Sequence, residues 1–288
     1  MDNAKAIQSR YYGKLKFQNK NQFLVFPTYI CISNIAERQG CQRILEIGAG
    51  WSTAVWADFV QRTGAEVCSI DADFSRMRSY VRGTRHDANV SKHVELLEGT
   101  SIYSDDLIEF YSGVPRATYA DAEASTFLNN IDEFRSSNCS FKRHYRICRM
   151  MAAWSWSARD LMSSGSSLFL RRKLVDLYSS NRNFDNEIAF LRNVESCGNA
   201  GILDELATDD GAWDMVFFDS GELASMIEWE KLKNKIAIGG ISAFHDIYFP
   251  KSIKNIIPCA AVLADPNWEV LLCDDSTKQG LLVAQRLR

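Results

Sequence analysis

Two apolar runs in the last third of the chain close on groups that can do chemistry. DMVFFD ends at Asp219, and GGISAFHD ends at His245 and Asp246. An apolar run that breaks into a carboxylate or an imidazole reads as a buried strand reaching solvent. In an open α/β sheet such strand ends meet at one rim. Three readings of this set stay open. Asp219 and Asp246, with His245, can hold a divalent ion. His245 can act without metal, as a base or a substrate contact. Or His245 is structural and bonds a loop carbonyl. Glu222 lies three residues past Asp219, at the start of the next helix, where a carboxylate also suits the helix dipole.

A second constellation sits near the N-terminus, in ILEIGAGWST, residues 44–53. An otherwise apolar strand carries one acid, Glu46, and breaks into Gly48-Ala49-Gly50. Glycine permits the positive φ of a sharp strand-to-helix turn, and its missing Cβ lets a ligand approach the backbone. Ser52 or Thr53 can cap the helix that follows. AEVCSID then ends at Asp71, where an acid can accept hydrogen bonds from both hydroxyls of a ribose. The sixth position of GAGWST is Thr53, so the third glycine of a dinucleotide fingerprint is absent. That weakens a nicotinamide or flavin reading.

The elements that must position these groups follow from pattern. The first 26 residues form an arm or a first helix, and Pro27 opens a helical pattern that stops at Gly40. RILEI, AEVCSID and HVELLEG are strands separated by helical stretches, a β-α-β-α-β rhythm with short connections that predicts a parallel sheet covered on both faces. The rhythm then lapses from about 103 to 198. A structureless loop of that length is improbable in a compact domain, so a folded, largely helical insertion is expected between the third and fourth strands. Order returns with a helix, the strand ending at Asp219, the helix ELASMIEWEKLKNK and the strand ending at His245. WEVLLCDDSTKQGLLVAQRL predicts a closing antiparallel hairpin. The expected division is an N-terminal arm and helix over 1–42, a first half-domain over 43–103, the insertion over 104–198 and a second half-domain over 199–288.

The bulk properties narrow the function. A formal net charge of -3 gives no broad basic field, so nucleic acid is not expected as a partner. The N-terminus lacks an apolar signal region and no stretch is long enough to span a bilayer, so a cytoplasmic protein without a membrane partner is expected. Eight scattered cysteines form no CxxC pair and read as buried free thiols.

In order, ILEIGAG, the SID ending at Asp71, ELLEGTS, DMVFFDSGE and GGISAFHD resemble the strand-end motifs of class I S-adenosylmethionine-dependent methyltransferases. The resemblance covers about 43–103 and 199–288. It implies a doubly wound, mostly parallel, seven-stranded Rossmann-like sheet with an antiparallel last strand. It implies that Glu46 lies near the methionine part of the cofactor, complementing its ammonium or ordering the loop. Gly48, Ala49, Gly50 and Ser52 would form the cofactor turn. Asp71 and Ala72 would hold the ribose, Thr100 and Ser101 would flank the adenine, and Asp219 and Ser220 would complete the pocket.

The reacting end is similar to that of metal-dependent O-methyltransferases of the catechol and macrolide-tailoring kinds, which hold magnesium after strands four and five. This implies catalytic roles for Asp219, His245 and Glu222, and a magnesium or manganese site at Asp219, His245 and Asp246. Two departures stand out. His245 replaces an oxygen ligand, which suits magnesium poorly, and Glu222 stands where those relatives place a Lys or His base. The expected function is methyl transfer to a hydroxyl of a small molecule. The rivals are an N-methyltransferase or aminopropyl-type transferase on the same fold, and a non-catalytic cofactor-binding subunit. No NPPY-like stretch follows the fourth strand, which argues against amide methylation.

Substrate choice is expected to lie in the insertion, which carries Trp154 and Trp156; its cationic run Arg171-Arg172-Lys173 reads first as a solvated charge run at a helix start and second as a contact for an anionic substrate. Tyr11-Tyr12-Gly13 could close over the cofactor or pair with a second subunit in a homodimer.

Overall fold

The computed structural model describes residues 20–106, 200–206, 210–221, 224–247, 254–274 and 280–288. Within them, β1 (Arg43–Ile47), β2 (Glu66–Asp71), β3 (Val94–Glu98), β4 (Trp213–Phe218), β5 (Ile236–His245), β6 (Trp268–Asp274) and β7 (Leu281–Arg286) form one sheet. Its order is β3-β2-β1-β4-β5-β7-β6. The first five strands pair in parallel. β7 runs antiparallel between β5 and β6. The expected sheet and closing hairpin are therefore both present.

Both faces are covered, which explains the near-continuous apolar strands. In β4, Met215 and Phe217 face one layer while Val216 and Phe218 face the other. The first layer is built by α1 (Lys20–Arg38), α2 (Trp51–Thr63), α3 (Ser75–Val81) and α4 (Arg85–His93), through residues such as Ile32, Trp56, Phe59 and Met77. The second comes from α5 (Ile202–Leu206), α6 (Ser225–Leu232) and α7 (Ile256–Ala264). There Trp229 packs against Phe218 and Phe244, whose rings stack at 4.7 Å. Burying each such aromatic contributes about 2–3 kcal/mol.

Several details differ from the sequence reading. α1 begins at Lys20, so Pro27 lies inside the helix instead of opening it. The helical stretch between β2 and β3 is two helices, broken at Gly83 (φ 68°), with Thr84 accepting from the His86 N–H to start the second. α7 was not anticipated. Its apolar run IIPCAAVLA contains a proline and resembles a strand as much as a helix. Cys41, Cys68 and Cys259 are buried free thiols as expected, but Cys273 is exposed on the edge strand β6. Among the described residues no helix is long and apolar enough to cross a membrane.

The chain leaves the sheet after β3 and re-enters it at the same place. Ile202 N–H donates to the Thr100 carbonyl at 3.0 Å, and Leu203 N–H to that of Ser101 at 2.9 Å. Thr100 Oγ1 accepts from Ala200 N–H at 3.0 Å. Trp154, Trp156, Arg171-Arg172-Lys173, Tyr11-Tyr12-Gly13 and Glu222 lie outside the described residues.

Candidate active site

The strand order reverses between β1 and β4, and the two clusters singled out in the sequence meet there. The first is the glycine turn. Gly48 N–H continues the ladder to Ile70 O, and Asp219 N–H donates to Ile47 O, both at 2.8 Å. Gly48 has φ 93°, and a Cβ on it would lie 2.2 Å from the Asp219 carbonyl oxygen. Gly48 is thus required by the backbone of β4. Gly50 is different: its φ of -167° is extended backbone, and a Cβ there would meet nothing within 4 Å.

A relay fixes this turn. Gly50 N–H donates to Thr53 Oγ1 at 3.1 Å, and Thr53 Oγ1 donates to Glu46 Oε2 at 2.7 Å. Ser69 Oγ donates to the same carboxylate oxygen at 2.6 Å. The acid inside the apolar strand therefore orders the loop from below. Its Oε1 and the neighbouring Ser52 Oγ are both buried. Thr53, at the position of the missing glycine, is a working part of the turn. On the other side, Asp71 Oδ2 accepts from Ala49 N–H at 2.8 Å and Oδ1 from Asp73 N–H at 2.9 Å. Each oxygen keeps a second lone pair, and Ala72 lies half-buried beside it.

Burial raises the Glu46 pKa to about 7, against the lowering pull of the Ser52, Ser69 and Thr53 hydroxyls. The folded protein thus holds a proton that the unfolded chain, with a carboxyl near 4.5, has lost. Stability contributed by this group is full below about pH 4.5 and falls by about 3 kcal/mol as pH rises to 7 and beyond. Glu46→Gln, neutral throughout, is expected to remove this slope and to exceed the wild type in stability at pH 8. Urea denaturation at pH 5 and pH 8 checks this; parallel profiles for the two proteins would refute it.

The second cluster lies on the far side of Gly48. Asp219 Oδ1 is 3.2 Å from His245 Nδ1, and Asp246 Oδ1 is 3.5 Å from the same nitrogen. Facing two carboxylates, Nδ1 is the nitrogen that keeps the proton when the ring is neutral, and Nε2 is then the acceptor. Nε2 is buried without a partner. Asp246 adopts φ 62°, a left-handed conformation that only short polar residues tolerate and that clusters at functional sites.

Three groups that the sequence reading missed complete the cluster. Lys254 Nζ lies 2.5 Å from Asp219 Oδ1 and 3.3 Å from Asp246 Oδ2. Asn255 Nδ2 donates to the Phe218 and His245 carbonyls, clamping the ends of β4 and β5. Tyr29, from α1, places its ring 5.2 Å from the His245 imidazole. Burial would raise the Asp219 pKa, but Lys254 and His245 together hold it down to about 2. Burial works against charge on His245, yet Asp246 and Asp219 outweigh it and raise its pKa.

Ser101 and Ser220 both donate to a fourth unexpected residue, the fully buried Glu228 of α6, each at 2.5 Å. One carboxylate thereby ties the loop after β3 to the loop after β4. Burial raises its pKa, opposed by the two serine hydroxyls. Thr100 uses its hydroxyl to pin the returning chain. These three positions are loop anchors in the structure.

No protein-family model and no curated protein matches the sequence. Solved structures do. Cofactor-bound Rv0187 from MTB aligns over 100% of this chain and 97% of its own, with a TM-score of 0.50 and 10% identity. The O-methyltransferase TomG from Streptomyces achromogenes, solved with SAM, aligns over 100% and 96% at a TM-score of 0.46 and 11% identity. An O-methyltransferase from Bacillus cereus, solved with SAH, aligns over 99% and 89% at 0.45 and 11%. At these identities the first likeness shows the fold.

The two expected ligands fare differently. The open approach to Gly50 and the spare lone pairs of Asp71 fit an adenosyl cofactor. For a metal, Asp219, His245 and Asp246 do bring ligand atoms within 4.8 Å of one another. The cation among these carboxylates, however, is the Lys254 ammonium, and His245 Nδ1 turns a proton toward them. As arranged, the set does not fit a divalent ion.

Proposed function

We propose that this chain is an S-adenosylmethionine-dependent methyltransferase that acts on a hydroxyl of a small molecule. The observation that carries the reading is the contact between the two clusters. The turn that would seat the cofactor rests, through Gly48, on the backbone of Asp219, which orients His245. A bound cofactor and an acceptor beside His245 would thus share one rim, and alignment is most of what such a displacement requires.

In this reading Gly50, Ala49 and Asp71 hold the cofactor, with Glu46 and Thr53 fixing the turn. Bound there, S-adenosylmethionine supplies a methyl group activated by its sulfonium. The chain's own residues handle the proton. His245 Nε2 accepts it from the acceptor hydroxyl, while Asp219 holds the ring by Nδ1 and stabilises the imidazolium. Tyr29 and Phe217 pack around the imidazole and limit water.

Calorimetric titration with S-adenosylmethionine and its demethylated product tests the reading. Micromolar binding, on the order of -8 kcal/mol, is expected for both. Absence of binding would reduce the proposal to a statement about fold.

A further inference from the structure

We infer that the Lys254 ammonium takes the place of a divalent cation at this site, so that the Asp219–His245–Asp246 cluster works without metal. For its catalytic meaning the inference rests on the function proposed above; its test does not.

The geometry is specific. Lys254 bridges Asp219 and Asp246, the two carboxylates that a metal would need, at 2.5 and 3.3 Å. It is not a surface lysine that wandered in, because it is 8% exposed. Its backbone is set as well. The Lys254 carbonyl accepts from Ser225 Oγ, and the next residue, Asn255, bonds the Phe218 and His245 carbonyls that immediately precede Asp219 and Asp246. One short segment thus clamps both strand ends and delivers one positive charge between their carboxylates.

A divalent ion bound to the same oxygens would sit within a few ångströms of this ammonium, with little water to screen the repulsion. His245 points the same way. An imidazole that ligates through Nδ1 must give up the proton it turns toward Asp219, and magnesium prefers oxygen in any case. Lys254 is therefore a positioning residue. It fixes the Asp219 carboxylate against the imidazole, the task that metal coordination would otherwise perform.

Manganese binding, read by the electron paramagnetic resonance of free Mn2+, tests this on the full chain without substrate or cofactor. The wild type is expected to bind no Mn2+ at micromolar concentration. Lys254→Met, with the ammonium removed and the carboxylates retained, is expected to gain affinity by about tenfold or more, and K254M/D219N to lose it again. Lys254→Gln serves if the Met variant does not fold. Tight stoichiometric Mn2+ binding by the wild type, abolished by Asp219→Asn, would overturn the inference. So would folded Lys254 variants that gain no affinity, since the ammonium would then not be what keeps metal out. Failure of S-adenosylmethionine to bind would instead strike the proposed function and leave this result untouched.

Discussion

Asp219→Ala is expected to lower the rate of methyl transfer by about 10²–10⁴-fold and folding stability by about 3–5 kcal/mol. Both effects have one origin. Asp219 is the shared partner of Lys254 and His245, and neither of these buried groups has comparable solvent to fall back on. Removing the carboxylate takes from a buried ammonium the nearer of the two carboxylates it bridges and frees the imidazole to rotate. Asp219→Asn separates the two effects, since the amide keeps volume and one acceptor oxygen but loses the charge.

The pH dependence identifies the source. The Asp219 pKa is held at about 2, below its ordinary 3.8. Its stabilisation is therefore complete above about pH 4 and is lost as pH falls toward 2. The stability gap between wild type and Asp219→Asn should close over that interval. Denaturation profiles at pH 7 and pH 3, with single-turnover rates at pH 7, make the measurement. A gap under about 1 kcal/mol at pH 7 would mean that the charges are solvated and the cluster is not a unit.

Gly48→Ala should be the most damaging small substitution in the turn. Its Cβ would stand 2.2 Å from Asp219 O, 2.5 Å from Asp219 C and 2.9 Å from Ser220 N. All three are backbone atoms, held by the hydrogen bond from Asp219 to Ile47. With the positive φ added, a loss above about 3 kcal/mol is expected, together with loss of cofactor binding. Gly50→Ala gives the contrast. Its Cβ has room and its φ suits any residue, so stability should change by less than about 1 kcal/mol. Cofactor affinity should nonetheless fall by about tenfold or more if the ligand approaches that face. Equal effects of the two substitutions on stability would refute this division of labour.

The strands, their order along the chain and the rim residues were legible because each apolar run stops at a polar group. Asp71, Asp219, His245 and Asp246 all stand at such stops. Groups that approach the rim from helices and loops were not legible. Glu228 lies in MIEWEKL and looks like one charge on a solvated helix face. It is buried because Ser101 and Ser220, from two distant loops, both donate to it. Lys254 follows Asp246 by eight residues, in a stretch without periodicity, and its placement comes from the Asn255 clamp and the Ser225 bond to its carbonyl. Tyr29 belongs to a helix that contains Pro27, and a proline in that position signals a helix start as readily as a helix interior. Thr53 stands where a dinucleotide fingerprint has glycine, and nothing in its spacing shows that its hydroxyl links Gly50 to Glu46.

The stitching of residues 100–101 to 200–203 has a consequence for how this chain can diversify. Departure and return share one hydrogen-bonded knot, so the two ends are held together at the sheet whatever the length of chain between them. Closing a longer flexible segment over fixed ends costs only about 0.6 kcal/mol per doubling of its length. The knot thus behaves as a grafting port. A segment exchanged or lengthened there would meet its two ends already fixed beside the strand that follows Asp71.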